Sequence, residues 1–423
     1  MNYVGTARPI HDAKGKATGY TKYAGDLSLP NMAYLCMLHS KIPHGYVKAV
    51  HAEKALALPG VYGVYHCLNT SERKYNRYRS SFDQAYLANE ERAFNQYVRF
   101  VGDKIGAVAA CDQETAEKAA RLVEVEYEEL PFSIGFDDTF AGKNCLDGET
   151  PVRDEYTLEV GKKQESTEGL IEVCSTMELP RLHHATMETH ACIADYDPYI
   201  DMLTVYCPNQ AVHGIRTVLA DFLEMPESHV RVVKATMGGS FGAKQEWFLE
   251  PVTALVAKKL CRPVKLVYSR GEAMTDTIVR GAMRMSTRGY YTPDGEMKKI
   301  YCDVTLDAGA YIGNAGDYVR ALAGKPTRCY RIPYMHYHGQ VISSNSPVSG
   351  AFRSWSAAEE ALMMERQLDA AAEKLGMDRL AIRLKNVARS GEEDKKLHLS
   401  LEDIRIGDAI TLGSEKFGWD KLK

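Results

Sequence analysis

The pattern of apolar and polar positions predicts an α+β protein. In the first 129 residues, the runs 61–65 and 104–110 predict strands, the second of them buried, and Asp112 predicts the cap of the helix that follows. Residues 123–127 alternate between apolar and polar, as a half-buried strand does. The stretch 75–97 is polar and aromatic without periodicity, and we interpret it as a surface excursion without a role.

The second part of the chain combines strands with longer helices. Between 130 and 169, several Gly and Pro residues among many acids predict a linker. After it we expect strands at 171–179 and 202–207, a helix that ends before Pro226, a strand at 263–268, and a hairpin whose turn includes Gly295. A long loop is predicted from Asp307 to 349, and then an amphipathic helix closed by Gly376.

Composition excludes several classes of protein. The chain has 423 residues, of which 45% are hydrophobic, and no long apolar run. We therefore expect soluble domains without a membrane span. Its formal net charge of −4 provides no broad basic field for nucleic acid. Its first residues lack a secretory signal, so we expect a cytoplasmic protein. The ten cysteines form no C-x-x-C pair, so we interpret most of them as buried thiols and none as a nucleophile.

A glycine-rich turn at 237–246 is the strongest candidate for a binding site. It follows a β-like run at 229–236 and precedes a predicted helix that begins with Trp247 and Phe248. Free N–H groups at such a turn favour anions. The P-loop pattern fails because the second glycine and the hydroxyl residue are missing, and no dinucleotide fingerprint is present. A purely structural turn is the alternative reading of this motif alone.

A cluster of possible metal ligands lies upstream of the turn, and it comprises His183, His184, Glu188 and His190. Its spacing differs from the helical zinc motif, and a strand would direct His183 and His184 to opposite faces. We therefore expect ordinary hydrogen-bonded histidines here and no metal held by protein side chains.

Five motifs in order resemble the molybdenum-binding subunit of the xanthine dehydrogenase and aldehyde oxidase family. The stretches 4–26 and 44–61 resemble the opening of the family, and 184–191 resembles its H-x-x-M-E stretch. Residues 238–244 resemble the G-G-G-F-G-G-K signature, 351–353 the A-F-R loop, and 380–386 the closing I-R-x-x-N. The resemblance covers nearly the whole chain.

The resemblance implies a fold, a cofactor and a reaction. We expect an α/β hammerhead domain over 1–130, a linker over 131–170 and a mixed α+β molybdenum-cofactor-binding domain over 171–423. The cofactor is molybdenum held by the dithiolene of molybdopterin, in the cytosine dinucleotide form. The reaction is hydroxylation of an electron-poor carbon with oxygen from water. Electrons then pass to iron–sulfur (FeS) and FAD subunits.

The resemblance also assigns roles to single residues. The backbone around Gly239, Ser240, Phe241 and Gly242 would lie against the molybdenum ligands, and Gln210 would hydrogen-bond an apical oxygen. Arg353 would place its backbone beside the metal. Lys244, Gln245 and Trp355 would face the substrate. Arg320 would bind a substrate oxygen, or else form a surface salt bridge.

Several departures from the family pattern bear on these roles. Ser240 and Ala243 stand where the family has glycines, and 354–358 replaces the G-F-G-x-P-Q run. Gln245 stands where animal xanthine oxidases carry glutamate, which leaves the substrate open. Carbon monoxide oxidation is disfavoured because that branch carries a cysteine at the position of Ser354.

The glutamate base of the family, in its G-V-G-E motif, is absent from this sequence. No catalytic residue is therefore assigned to this chain. We expect a second molybdopterin-binding subunit to supply the base, as in clostridial nicotinate dehydrogenases, with a truncated gene as the alternative. The leading hypothesis is a hydroxylase subunit for a purine or nicotinate. The alternatives are an aldehyde oxidoreductase subunit and a cofactor-free interaction or assembly protein.

Overall fold

The computed structural model describes residues 3–78, 89–142, 146, 150–163 and 166–422. The chain divides into two compact units. The first unit comprises Met1–Leu130 and His184–Thr277, and the second comprises Pro131–His183 and Ile278–Lys423. None of the described helices is both long and apolar enough to cross a membrane.

Helices and strands are mixed along the whole chain, as the α+β prediction requires. The helices are α1 (Ala13–Ala17), α2 (Glu53–Leu56), α3 (Gln113–Ala120), α4 (Gly135–Phe140), α5 (Val212–Phe222), α6 (Glu250–Leu260), α7 (Arg270–Thr275), α8 (Ala315–Ala323), α9 (Pro326–Cys329), α10 (Ala357–Leu375), α11 (Arg379–Asn386) and α12 (Ile406–Phe417). The strands are β1 (Ala33–His39), β2 (Gly45–His51), β3 (Val61–His66), β4 (Lys74–Tyr75), β5 (Glu91–Arg92), β6 (Tyr97–Val98), β7 (Lys104–Ala110), β8 (Glu124–Glu129), β9 (Val152–Gly161), β10 (Ile171–Leu179), β11 (Ala191–Asp197), β12 (Met202–Cys207), β13 (Val230–Lys234), β14 (Val264–Val267), β15 (Ala282–Tyr291), β16 (Met297–Asp307), β17 (Tyr334–Ile342), β18 (Glu392–Asp394) and β19 (Leu399–Leu401).

The first unit is built on a seven-stranded sheet with the order β13-β12-β11-β14-β1-β7-β3. Strand β1 pairs with β14 in parallel and with β7 antiparallel, so strands from both predicted domains share one sheet. As predicted, β7 is buried along its whole length, and Asp112 caps α3 by accepting a hydrogen bond from the Thr115 N–H at 2.7 Å. Strands β6, β2 and β8 form a smaller sheet in the same unit.

The second unit is built on a five-stranded sheet with the order β10-β15-β16-β17-β9. One face of β15 and β16 is buried, and α8 and α10 pack on the sheet. The predicted hairpin is confirmed: β15 pairs antiparallel with β16, and Gly295 takes φ +87° in the turn. The predicted closure of α10 is also confirmed, because Gly376 adopts the left-handed conformation at its end.

Two connections that the sequence predicts as irregular contain regular structure. The predicted linker over 131–170 includes α4 and β9, and the predicted loop from Asp307 to 349 includes α8, α9 and β17. Strand β9 pairs antiparallel with β17, and β17 pairs in parallel with β16. These pairings join distant parts of the chain, and local composition carries little information about them.

The predicted surface excursion at 75–97 is wrong where it is described, while residues 79–88 lie outside the described part. Tyr75, Arg77 and Glu91 are each about 2% exposed, and Arg77 forms a bidentate ion pair with Glu91. Nearby in the first unit, Lys104 Nζ lies 3.2 Å from Asp276 Oδ1, and both residues are buried. Buried charges require partners, so this segment belongs to the interior.

The cysteines are less uniformly buried than predicted. Of the nine in the described ranges, all are free thiols. Cys67, Cys192, Cys207 and Cys302 are buried, Cys36 and Cys329 are half-buried, and Cys111, Cys174 and Cys261 are exposed. Cys145 lies outside the described residues. Burial raises the pKa of Cys36 and of Cys67 to about 12, as expected for inert thiols.

Candidate functional site

The glycine turn has a left-handed backbone at three positions in the first unit. Gly239, Phe241 and Gly242 have φ values of 100°, 55° and 102°. Neither Ser240 nor Ala243 has a positive φ, and Ala243 is fully buried. The two residues that replace family glycines therefore fit without left-handed strain. Phe241 carries the unusual conformation instead, and it is 53% exposed.

The turn does not lead directly into a helix. We predicted a helix beginning with Trp247 and Phe248, but α6 begins at Glu250 and residues 243–249 form turns and bends. The Trp247 indole is buried and donates its Nε1–H to the Asn76 carbonyl at 2.8 Å. Any affinity for anions must therefore come from the turn itself.

The turn offers a row of unused backbone donors. Within the described part of the chain, the N–H groups of 239–242 donate to no acceptor. The flanking N–H groups are all used, because Gly238 donates to Glu188 at 2.6 Å and Ala243 to the Ser240 carbonyl at 2.9 Å. Successive N–H groups in mixed right- and left-handed backbone form a concave nest that binds anionic oxygens. The donor chemistry of the turn therefore fits the oxygen-rich ligand set of a molybdenum cofactor.

Gln210 is brought to this turn by a relay of hydrogen bonds. The Lys244 N–H donates to Ser240 Oγ at 3.1 Å, and the Ser240 hydroxyl then donates to Gln210 Oε1. The Gln210 N–H also donates to the Lys244 carbonyl, at 2.7 Å. Because Oε1 is occupied as an acceptor, the Gln210 side-chain NH₂ is left as an exposed donor beside the turn.

Removing the Ser240 hydroxyl should release this relay. In Ser240→Ala, we expect Gln210 to lose its fixed amide orientation and turnover to fall about tenfold, a cost of about 1.4 kcal/mol. Stability should also fall by about 1 kcal/mol, because the buried Lys244 N–H loses its acceptor, the Ser240 Oγ. Steady-state kinetics and thermal unfolding would measure the two effects. Unchanged turnover in Ser240→Ala would show that the hydroxyl does not orient Gln210.

Lys244 is buried and paired with an acid, which argues against the prediction that Lys244 faces the substrate. The residue is 1% exposed, and its Nζ lies 2.6 Å from Glu188 Oε2. The same carboxylate oxygen accepts the Gly238 N–H, also at 2.6 Å. Burial lowers the pKa of Lys244, and the hydrogen bond with Glu188 opposes that shift.

Sequence reasoning missed the importance of Glu188, which we considered only as a metal ligand. Its carboxylate joins both ends of the turn, through Gly238 and Lys244. The packing is also close, because a Cβ at Gly238 would lie 2.5 Å from the Cβ of Glu188. Two features of the sequence could have indicated this role: the lone acid in the H-x-x-M-E stretch and the lysine at the end of the glycine signature.

His190, upstream of the turn, has a hydrogen-bonding role. His190 Nε2 lies 2.9 Å from the Ala243 carbonyl oxygen, and the ring contacts Phe248 edge-on. Residues 183–190 do not form the strand that we considered. Across the described ranges, no group of three or more His, Cys, Asp or Glu side chains is arranged to hold a metal ion.

The remaining predicted residues of the site lie in the second unit, except Gln245. Gln245 is half-buried in the first unit, and its N–H donates to the Gly242 carbonyl at 3.1 Å. Arg320 pairs with Asp154 through both carboxylate oxygens, with Nη2–Oδ1 at 2.9 Å. Of the two roles considered for Arg320, the structure thus shows the salt bridge.

The loop with Arg353 and Trp355 precedes α10. Arg353 is exposed, and Trp355 is half-buried with its ring centroid 5.4 Å from that of Tyr318. Arg280 lies over the Phe352 ring at 4.2 Å and pairs with the buried Glu359, with Nε–Oε1 at 2.8 Å. The loop is therefore anchored on both sides by packed aromatic and charged groups.

Glu360, in the first turn of α10, should make stability depend on pH. Burial raises its pKa from 4.5 to about 7, with Lys325 opposing the shift, and the residue is 4% exposed. A carboxyl group with a raised folded-state pKa binds more protons in the folded protein, so stability should fall as pH rises from about 4.5 to about 7. The loss should total about 3 kcal/mol, and Glu360→Gln should remove it. Urea unfolding at about pH 4.5 and about pH 7 would measure the free energy of unfolding of the natural protein and of Glu360→Gln. An equal loss of stability between these two pH values in both proteins would contradict the prediction.

Comparison with known proteins identifies matches over nearly the whole chain. A molybdopterin cofactor-binding domain matches residues 149–387, and the a/b hammerhead domain of aldehyde oxidase and xanthine dehydrogenase matches residues 18–131. The predicted succession of a hammerhead domain and a cofactor-binding domain is thus confirmed.

Individual proteins are similar over the same extent. The xanthine dehydrogenase molybdenum-binding subunit of Escherichia coli O157:H7 is 29% identical over 97% of this chain and 56% of its own length. The nicotinate dehydrogenase large molybdopterin subunit of Eubacterium barkeri is 30% identical over 96% of both chains. The solved structure of aldehyde oxidoreductase from Desulfovibrio gigas has a TM-score of 0.88 at 25% identity, over 98% of this chain and 46% of that one. The chain thus spans about half the length of two of these proteins and nearly all of the third.

Proposed function

The chain belongs to the aldehyde oxidase and xanthine dehydrogenase family of molybdopterin-binding proteins, and from this premise we propose that it is a subunit of a molybdenum hydroxylase for an N-heterocycle. The substrate class would be a purine or nicotinate, with oxygen supplied by water. The row of unused N–H groups at 239–242, together with the exposed Gln210 amide, is the observation that carries the proposal. These donors suit a cofactor whose outer atoms are oxygens.

Each residue of the turn has a separate task in this proposal. The N–H groups of Gly239, Ser240 and Phe241 would hold oxygen ligands of the molybdenum, and the Gln210 NH₂ would donate to another of its oxygen ligands. Bound molybdenum would supply the oxidising centre and acidify a water molecule. The Glu188–Lys244 pair would hold the donors in place without touching the substrate. Preorganised donors of this kind stabilise developing negative charge without moving during the reaction.

The proposal keeps the roles that the family resemblance gives to these residues: Gln245 and Trp355 would each face the substrate, and Arg353 would place its backbone beside the cofactor. A flat heteroaromatic ring suits an indole face, which gains from stacking. In this proposal the general base and the rest of the pterin site belong to a second molybdopterin-binding polypeptide. The similarity to a nicotinate dehydrogenase large molybdopterin subunit over nearly its full length supports this division.

The finer assignments belong to the same proposal. The pterin would be the cytosine dinucleotide form, and FeS and FAD subunits would carry the electrons in a cytoplasmic complex. An aldehyde is the second substrate class, supported by the similarity to the aldehyde oxidoreductase. A cofactor-free interaction protein is disfavoured because such a protein would not need a row of open donors beside an ordered Gln210.

Turnover in isotopically labelled water tests the proposed function. The complex purified from its native source would be incubated with purines, nicotinate and aldehydes in H₂¹⁸O, and products analysed by mass spectrometry. We expect ¹⁸O in a hydroxylated heterocycle. Label only in carboxylates formed from aldehydes would favour the second substrate class. A molybdenum-loaded complex that oxidises neither class would overturn the proposal.

A further inference from the structure

Three consecutive residues other than glycine hold a left-handed backbone before α10. Ser354, Trp355 and Ser356 have φ values of 81°, 44° and 65°. This conformation brings a Cβ close to the following carbonyl oxygen, so single residues rather than runs usually adopt it. Glycine is the ordinary solution, and this loop has serine on both sides of the tryptophan. Contacts from elsewhere in the second unit must therefore hold the loop.

Lys325 makes such contacts. Its Nζ donates to the Trp355 carbonyl and, at 2.6 Å, to Ser356 Oγ. The lysine stands at the start of α9, outside the loop that it binds. Burial lowers the pKa of Lys325, while the carboxylates of Glu360 and Glu359 favour its charged form. Lys325 thus binds the loop within the electrostatic influence of two buried acids.

The rest of the loop is fixed by contacts that do not involve this lysine. Phe352 packs under Arg280, which pairs with Glu359. The Trp355 ring is tilted by 58° against the Tyr318 ring. A shift of the peptide group at Trp355 would therefore rotate the indole away from Tyr318, because the flanking groups are already packed.

We propose that Lys325 is a positioning residue that holds the left-handed loop 354–356 through the Trp355 carbonyl and the Ser356 hydroxyl, and so sets the orientation of the Trp355 indole towards a flat heterocyclic substrate. The part that concerns the substrate rests on the proposed function. The coupling between Lys325 and the loop does not, and it can be measured in the chain without turnover.

Fluorine NMR tests the coupling directly. The chain has three tryptophans, so the full-length protein labelled with 5-fluorotryptophan should give three resonances, and Trp355→Phe identifies the relevant one. In Lys325→Met, we expect the Trp355 resonance to shift and broaden while the other two stay in place. Lys395→Met is the matched control, because Lys395 also donates to backbone carbonyls of the second unit, at Ile332 and Pro333.

A glycine background separates positioning from a general loss of folding. In Ser354→Gly/Ser356→Gly, only Trp355 still holds a left-handed conformation as a residue other than glycine, so the loop is less strained. Lys325→Met should then disturb the Trp355 resonance much less than in the natural sequence. An unchanged Trp355 resonance in Lys325→Met would overturn the proposal. The proposal would also be overturned if Lys325→Met disturbed the Trp355 resonance equally in the natural sequence and in the glycine background. The same holds if Lys395→Met disturbed that resonance as much as Lys325→Met does.

Kinetics of the complete complex tests the substrate part. We expect Lys325→Met to raise KM for the heterocycle about tenfold with kcat nearly unchanged, because misplacing the indole removes binding shared by substrate and transition state. A fall in kcat at constant KM would contradict a role in substrate positioning. A native complex without molybdenum would refute the proposed function instead, and the fluorine result would still decide whether Lys325 holds the loop.

Discussion

Replacing Glu188 with alanine should destabilise the protein by about 3 to 5 kcal/mol, the cost of leaving a buried charge without its partner. Lys244 is 1% exposed, and Glu188 Oε2 is its acceptor at 2.6 Å. The same substitution removes the acceptor of the Gly238 N–H, so both ends of the glycine turn lose their anchor. Urea unfolding measures the loss, and molybdenum content should fall with it.

Two further variants make this prediction specific. Glu128→Ala is the matched control, because Glu128 pairs with Lys48 at a similar distance, 2.8 Å, but on the surface, so its loss should cost about 1 kcal/mol or less. The double variant Glu188→Ala/Lys244→Met removes the buried charge and should recover part of the lost stability. Equal costs for Glu188→Ala and Glu128→Ala would contradict a buried ion pair that supports the turn.

Replacing Gln210 with alanine should lower turnover about 100-fold, the typical cost of losing one preorganised donor at a reacting centre. Stability should hardly change, since the Gln210 side chain is exposed and its backbone hydrogen bond to Lys244 remains. This separation distinguishes Gln210→Ala from Glu188→Ala, which should lose both properties. Steady-state kinetics and thermal unfolding would measure turnover and stability, and metal analysis of the same preparation would measure its molybdenum content.

Gln113→Ala serves as the control for Gln210→Ala. Gln113 stands in the first turn of α3 and donates to Glu117 at 3.0 Å, away from the glycine turn. Its replacement should leave turnover and molybdenum content as they are. If Gln210→Ala behaves in the same way, Gln210 does not contact the cofactor, and its assigned role fails.

The sequence allowed prediction of features that depend on neighbouring residues. The hairpin around Gly295 and the Asp112 cap follow from local turn and capping preferences, and both are present. The order of the family motifs led to the fold and the cofactor class, which the domain matches confirm. Local chemistry was sufficient in these cases because each feature is complete within a few residues.

Features that depend on distant partners could not be predicted. Lys244 and Glu188 are 56 residues apart, and only the folded chain shows that the lysine is buried against that acid instead of facing a substrate. Strands β9 and β17 were missed because each is stabilised mainly by pairing with distant strands. The left-handed residue between the turn glycines was not foreseen either, because Phe241 carries no local signal for that conformation.

The most direct test of the central claim is the molybdenum and pterin content of the native complex. The claim is that the N–H groups of 239–242 and the Gln210 amide hold a molybdenum cofactor. Inductively coupled plasma mass spectrometry and pterin fluorescence after oxidation would measure both components in material purified with its partner subunits. We expect about one molybdenum atom and one pterin for each copy of this chain, the stoichiometry of a single site. A stable, folded complex that contains neither would contradict the account.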